Sequence, residues 1–319
     1  MNLRTHRRLG ALGLALVLAG ATAACGSEAT PSASAGDSSK VTLSIPPVGD
    51  SLPVYEAISK GYFADEGLDV ELTPAANGAT TINALVSGST DLALVSYPSL
   101  ITAYSSDLPV TIAAPAIAGT DEYESGLYVL ADSDIQKPAD MAGKKMATPS
   151  LGSVGDIWFR GELVEEGLDP DSVTYIEIPQ ANMAAALEAG DVDGIFQTEP
   201  TLSATEAEVD IRPIGFQNGP QGLFATSEKL MKERPEVVER FRAALAKAVA
   251  DIEADPRAVA EAMMPEYTEM TPEVAAKMRL PEYQVDYDAD GVQKVVDLMV
   301  EVGLLEKSFD ASELYQDAS

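Results

Sequence analysis

Histidine occurs once in this 319-residue chain, at His6, and cysteine once, at Cys25. With no histidine past residue 6, a serine–histidine triad, a cysteine–histidine dyad and a histidine-ligated zinc site have no place in a folded body. A single thiol forms no internal disulfide. Basic residues are also scarce, 21 Lys and Arg against 51 Asp and Glu, for a net charge of −30. That balance opposes nucleic acid and anionic membrane surfaces as partners. Neither a Walker A nor a dinucleotide glycine pattern is present, so a nucleotide phosphate cradle is not expected. Catalysis by carboxylates alone stays open.

What is present begins at the amino terminus. Arg4, Arg7 and Arg8 form a basic head, an apolar run extends from Leu9 to Leu18, and small residues lead to Ala24 and Cys25. Charged, apolar and small-residue regions in that order describe a secretory signal. The run is shorter than the roughly 20 residues of a spanning helix. A cysteine at the cleavage site resembles a bacterial lipoprotein lipobox, with Thr22 where that motif usually has leucine. Residues 1–24 are therefore expected to be a lipoprotein signal, and Cys25 the acylated residue. Ordinary signal-peptidase cleavage is the alternative. Either way His6 leaves, and the mature chain carries 18 basic and 51 acidic residues, a net charge of −33. Residues 25–40, polar and rich in Ser, Ala and Gly, read as a flexible tether between anchor and body. The expected location is the outer face of the cytoplasmic membrane, held by lipid on Cys25.

The remaining 280 or so residues suit two lobes better than one core. A diffuse repeat supports this. Ala84, Leu85, Gly88 and Asp91 recur 102 residues later as Ala186, Leu187, Gly190 and Asp193. Glu66, Gly67, Leu68 and Asp69 recur 100 residues later as Glu166, Gly167, Leu168 and Asp169, and Pro46 and Gly49 recur 103 later as Pro149 and Gly152. In each half a helix ends at the glycine of the Glu-Gly-Leu-Asp run, a strand follows, and a second helix stops at Gly88 or Gly190 before a short buried strand. Strands alternating with helices indicate α/β lobes with parallel sheets.

Open α/β sheets bind ligands at the carboxyl ends of their strands. The repeat nominates two loops per lobe there: 47–51 and 96–98 in the first, 148–153 and 197–200 in the second. Serines and free N–H groups at a helix start, as at Ser150 to Ser153, also suit a carboxylate or sulfonate.

Gly61, Tyr62, Phe63 and the Glu66-to-Val70 run, Gly88 with Asp91, Gly152 and Ser153 at a helix start, and Glu199 with Pro200 after a strand together resemble solute-binding lipoproteins of ABC importers. So do Pro235, Glu236 and Val237 opening a long helix. The branch concerned serves nitrate, taurine, aliphatic sulfonates and thiamine pyrimidine precursors, and the resemblance runs from about Val41 to Leu305. It implies a type II periplasmic-binding fold: two lobes, each a mostly parallel sheet flanked by helices, joined by two hinge crossings near 126–131 and 213–216. Lobe I would be 41–130 with 214–319, and lobe II 131–213. It also implies a monomer without cofactor or metal that closes on a small molecule and docks on a permease served by an ATPase. The expected ligand-facing residues are Asp50, Ser51, Ser96, Tyr97, Ser150, Gly152, Ser153, Thr198 and Glu199.

The ligand is read from charge. Between residues 41 and 136, Lys60 is the one basic residue among 13 acidic ones. Asp50 and Glu199 suit amino groups, so a thiamine-pyrimidine-like heterocycle is preferred, with Tyr97 and Trp158 as candidate stacking partners or plain packing. A small sulfonate or nitrate-type anion is the alternative, as is, in another class, a tethered ligand-sensing receptor. Enzymes that make the thiamine pyrimidine share the fold but rely on histidine. Near the carboxyl end, Val237, Val238, Phe241, Leu245 and Val249 repeat at helical spacing, and Met263 and Met264 before Pro265 read as core at a helix end. Asp286 to Gly291 faintly suggests a calcium loop, but Asp297 stands where its twelfth-position glutamate belongs.

Overall fold

The computed structural model describes residues 39–75, 78–268 and 270–315. The signal, Cys25 and all but the last residues of the expected tether lie outside these. Among the described residues, eleven strands are arranged in two sheets: β1 (Ser39–Ile45), β2 (Leu68–Pro74), β3 (Leu92–Ser96), β4 (Val110–Gly119), β5 (Gly126–Leu130), β6 (Lys145–Thr148), β7 (Thr174–Glu177), β8 (Gly194–Gln197), β9 (Ile211–Phe216), β10 (Gly219–Ser227) and β11 (Glu282–Tyr283). Their orders are β11-β4-β10-β3-β1-β2 and β7-β6-β8-β5-β9.

The repeat explains half of each sheet. β2, β1 and β3 run parallel, as do β7, β6 and β8. Asp91 and Asp193 do the same work in each lobe. The Asp91 carboxylate accepts the Thr42 N–H at 2.8 Å, and the Asp193 carboxylate accepts the Lys145 N–H at 2.9 Å. Each ties the loop entering a buried strand to the head of its parallel neighbour. Gly88 and Gly190, with φ of 73° and 72°, end the preceding helices in the left-handed region that glycine tolerates best.

The other half of each sheet is antiparallel, because β10 and β5 arrive from the opposite lobe. Each sheet is therefore mixed, parallel only across its repeat unit. The chain changes sheets through 120–125 and 217–218. The stretches 126–131 and 213–216, read from sequence as crossings, contain β5 and the end of β9. Each follows or precedes a true crossing by only a few residues, and their apolar composition belongs to the second sheet.

The helix Pro235–Ala254 lies under the first sheet with Val237, Val238, Phe241, Leu245 and Val249 buried at the spacing expected. Phe241 stacks on Phe63 with centroids 5.5 Å apart and meets Phe224 edge-on. Met263 and Met264 are core, though their helix, Pro256–Tyr267, runs two residues past Pro265. Asp288 caps the helix Ala289–Glu301 by accepting the Gly291 N–H, and no metal-holding group of His, Cys, Asp and Glu occurs among the described residues. Nor, among them, is any helix long and apolar enough to cross a membrane.

Candidate functional site

The carboxyl ends of β1, β3, β6 and β8 face one another across the two lobes and enclose a cavity of about 250 Å³. Asp50, Ser96 and Tyr123 reach it from the first lobe and its crossing, and Ser153, Gln180 and Thr198 from the second. Phe196, Ile117 and Leu94 give it apolar walls. A second chamber of about 880 Å³ shares Ser96, Ser153 and Pro46 with it and extends past Ser150, Gly152 and Thr102. Among the described residues neither is lined by a lysine, arginine or histidine.

Local structure fixes these groups. Ser96 caps the helix Tyr97–Ser105 by accepting the Ser99 N–H, and Ser153 caps Val154–Glu165 by accepting the Asp156 N–H. Gly155, one residue further on, sits so close to Phe196 that a Cβ would lie 2.5 Å from the ring. Gln180 and Thr198 bond side chain to side chain at 3.2 Å.

Asp50 is the electrostatic centre. Its carboxylate accepts the Tyr123 hydroxyl at 3.3 Å and has no salt-bridge partner among the described residues. Burial pushes its carboxyl up to about 6, against the lowering effect of the Tyr123 hydrogen bond. Burial, and then the Asp50 charge, raise the Tyr123 phenol well above its ordinary value, so it remains a donor. Behind Asp50, Tyr283 donates to the Gly49 carbonyl at 2.8 Å and holds this turn in place.

Of the nine sequence-nominated residues, Asp50, Ser96, Ser153 and Thr198 line the inner cavity, and Ser150 and Gly152 the outer chamber. Three lie elsewhere. Ser51 is fully buried and its hydroxyl donates to the Pro46 carbonyl at 2.7 Å, shaping the loop. Tyr97 is fully buried in the core beneath the helix it begins. Glu199 is turned away from the cavity into an ion cluster. It accepts Arg279 at 2.9 Å and the Ser203 hydroxyl at 2.8 Å. Trp158 packs on Gly215 and Phe196 as core, and Arg160 pairs with Asp156 at 3.0 Å under the Tyr175 ring. Tyr123, Gln180 and Phe196 escaped sequence reasoning. Tyr123 lies in a crossing outside the repeat, and Gln180 opens a helix whose start carries no capping signal; Phe196 has the pattern of any buried strand residue.

Arg279 joins the lobes. From the segment before β11 it pairs with Glu199 and Glu206 of the second lobe, at 2.9 and 3.0 Å, and with Glu124 of the crossing at 2.8 Å. The Glu199 side chain is only 1% exposed in this arrangement.

The sequence family described as NMT1/THI5 like matches residues 49–259. The formylaminopyrimidine-binding protein of Halalkalibacterium halodurans is 28% identical over 201 residues, 60% of this chain and 59% of that protein. A 4-amino-5-hydroxymethyl-2-methylpyrimidine phosphate synthase of Saccharomyces cerevisiae is 25% identical over 254 residues, 74% of this chain and 72% of that one. The periplasmic aliphatic sulphonate binding protein of Escherichia coli superposes with a TM-score of 0.73 at 17% identity, covering 87% of this chain and 92% of its own. That likeness shows a shared two-lobed periplasmic-binding fold.

Proposed function

The chain belongs to the NMT1/THI5 like family, and we propose that it is the extracytoplasmic solute-binding component of an ABC importer, capturing an amine-bearing heterocycle of the thiamine-pyrimidine type between its lobes. One observation carries the choice of ligand: Asp50 faces a small cavity that has aromatic side chains in its walls and, among the described residues, no basic residue to neutralise it. A carboxylate so placed accepts hydrogen bonds from amino groups, while Tyr123 and Phe196 add aromatic side chains to the lining, suited to packing on a planar ligand. The pyrimidine-binding relative supports the same reading.

Capture would proceed by lobe closure, with residues 120–125 and 217–218 as hinges and the closed form selected by contacts to both lobes. The partners are a permease and its ATPase, the protein is a monomer, and acyl chains on Cys25 tether it to the outer face of the cytoplasmic membrane. It is not an enzyme. Although the yeast relative is a synthase, this chain has no histidine after His6 to share such chemistry.

A small sulfonate or nitrate-type anion is the second reading, favoured by the helix starts at Ser96 and Ser153, which meet at the cavity from opposite lobes. Against it, the Ser153 helix start already carries a buried carboxylate. Asp156 accepts the Gly152 N–H at 2.7 Å and pairs with Arg160.

A thermal-unfolding screen with aminopyrimidines, thiamine, taurine, alkanesulfonates and nitrate separates the two. A ligand at about 1,000 times its Kd adds roughly 4 kcal/mol, or several degrees in a protein of this size. The expected result is a rise with aminopyrimidines. A rise with sulfonates or nitrate alone would overturn the choice of ligand.

A further inference from the structure

The inner cavity accounts for only part of the enclosed space. Its 250 Å³ is about eight water volumes, room for one substituted six-membered ring. The outer chamber is more than three times larger, 880 Å³, and opens directly from it past Ser96 and Ser153. Its lining differs in kind. In a chain with 23% charged residues, no Asp, Glu, Lys or Arg lines it among the described residues. Its walls combine apolar side chains, Ile157 and Met299, with hydroxyls, Ser99 and Thr102. At its rim stand Leu151 of the second lobe, 55% exposed, and Leu304 of the first, 41% exposed. These are two of the five large exposed apolar residues described, one from each lobe and both on this chamber. Exposed apolar side chains gathered at a cleft mark a surface that something covers.

We infer that the ligand has two parts: an amine-bearing ring in the Asp50 cavity, and an uncharged, mainly apolar substituent several atoms long lying in the outer chamber between Leu151 and Leu304. This rests on the reading of the inner cavity as an amine site. A charged tail is disfavoured because the described lining of the chamber holds no counter-charge to replace its hydration. A tail of methylenes ending in a hydroxyl or carbonyl meets both the apolar walls and the hydroxyls. The chamber thereby sets specificity among ligands that share one ring.

The test is calorimetric titration of the full-length protein with 4-aminopyrimidines carrying a methyl, propyl or pentyl group at the 5-position. Affinity is expected to rise about fourfold per added methylene. In Ala79→Trp, at an exposed position on the chamber wall, the pentyl compound is expected to lose that gain while the methyl compound binds as before. Affinity that stays flat or falls with length, with the methyl compound binding well, would overturn the two-part ligand and leave the amine site standing. No binding by any member would sink the amine site, and this inference with it.

Discussion

Asp50→Asn is expected to weaken an amine-bearing ligand by about ten- to 150-fold while raising the melting temperature of the ligand-free protein. The two effects share one cause. A hydrogen bond to a charged group contributes about 1.5–3 kcal/mol, and the amide forfeits it toward a donor ligand. In the ligand-free protein the same carboxylate is desolvated without a counter-charge, which is why its carboxyl is raised to about 6. The sign follows by linkage. An acid whose pKa is raised on folding holds its proton more tightly in the folded state, so Asp50's contribution to stability falls as pH climbs from about 4 to 6. The variant abolishes that fall. Calorimetry for affinity and thermal unfolding at pH 5 and pH 7 check both halves. Loss of binding with a lower melting point would instead make Asp50 a structural residue.

Arg279→Met is expected to produce the largest loss of stability outside the core. Among the described residues, Arg279 is the one cation paired with Glu124, Glu199 and Glu206. Removing its guanidinium leaves the nearly inaccessible Glu199 carboxylate with no cation, held only by Ser203 and by the backbone N–H of residue 279. Breaking a buried pair from one side costs about 3–5 kcal/mol, or roughly 10 °C here. The protein has a second response, because the cluster spans the lobes: separating them would rehydrate the carboxylates. Small-angle scattering should therefore show a larger radius of gyration in Arg279→Met. Adding Glu199→Gln and Glu206→Gln should recover much of the loss, since the buried charge is then gone and only the partly exposed Glu124 carboxylate is left without its cation. A melting point within about 2 °C of the parent, with unchanged scattering, would remove the cluster from any part in closure.

The lobed plan was legible because it is written twice. Asp91 and Asp193, Gly88 and Gly190, and the two Glu-Gly-Leu-Asp runs each do one local job, a cap or a strand tie, and local jobs leave local residue choices. The nominated loops contain Asp50, Ser96, Ser153 and Thr198 of the inner cavity for the same reason: strand ends follow from strand positions. What sequence could not supply was direction. Ser96 and Tyr97 are neighbours, yet one points into the cavity and the other into the core, because a helix begins between them. Glu199 has the right chemistry for an amine, but Arg279, 80 residues away, claims it. Tyr123 sits in a crossing with no repeat partner, so nothing local marked it as the donor to Asp50.

The central claim, that the Asp50 carboxylate recognises an amine-bearing ring, is tested most directly with an amino-substituted ring whose own charge is constant. 4-Amino-1-methylpyridinium is such a probe. With the Asp50 carboxyl at about 6, its ionised fraction, and hence the affinity for this cation, should rise about tenfold from pH 5 to pH 7. In Asp50→Asn binding should be weak and flat across that range. Affinity that is independent of pH in the parent protein, or greater at pH 5 than at pH 7, would contradict the account.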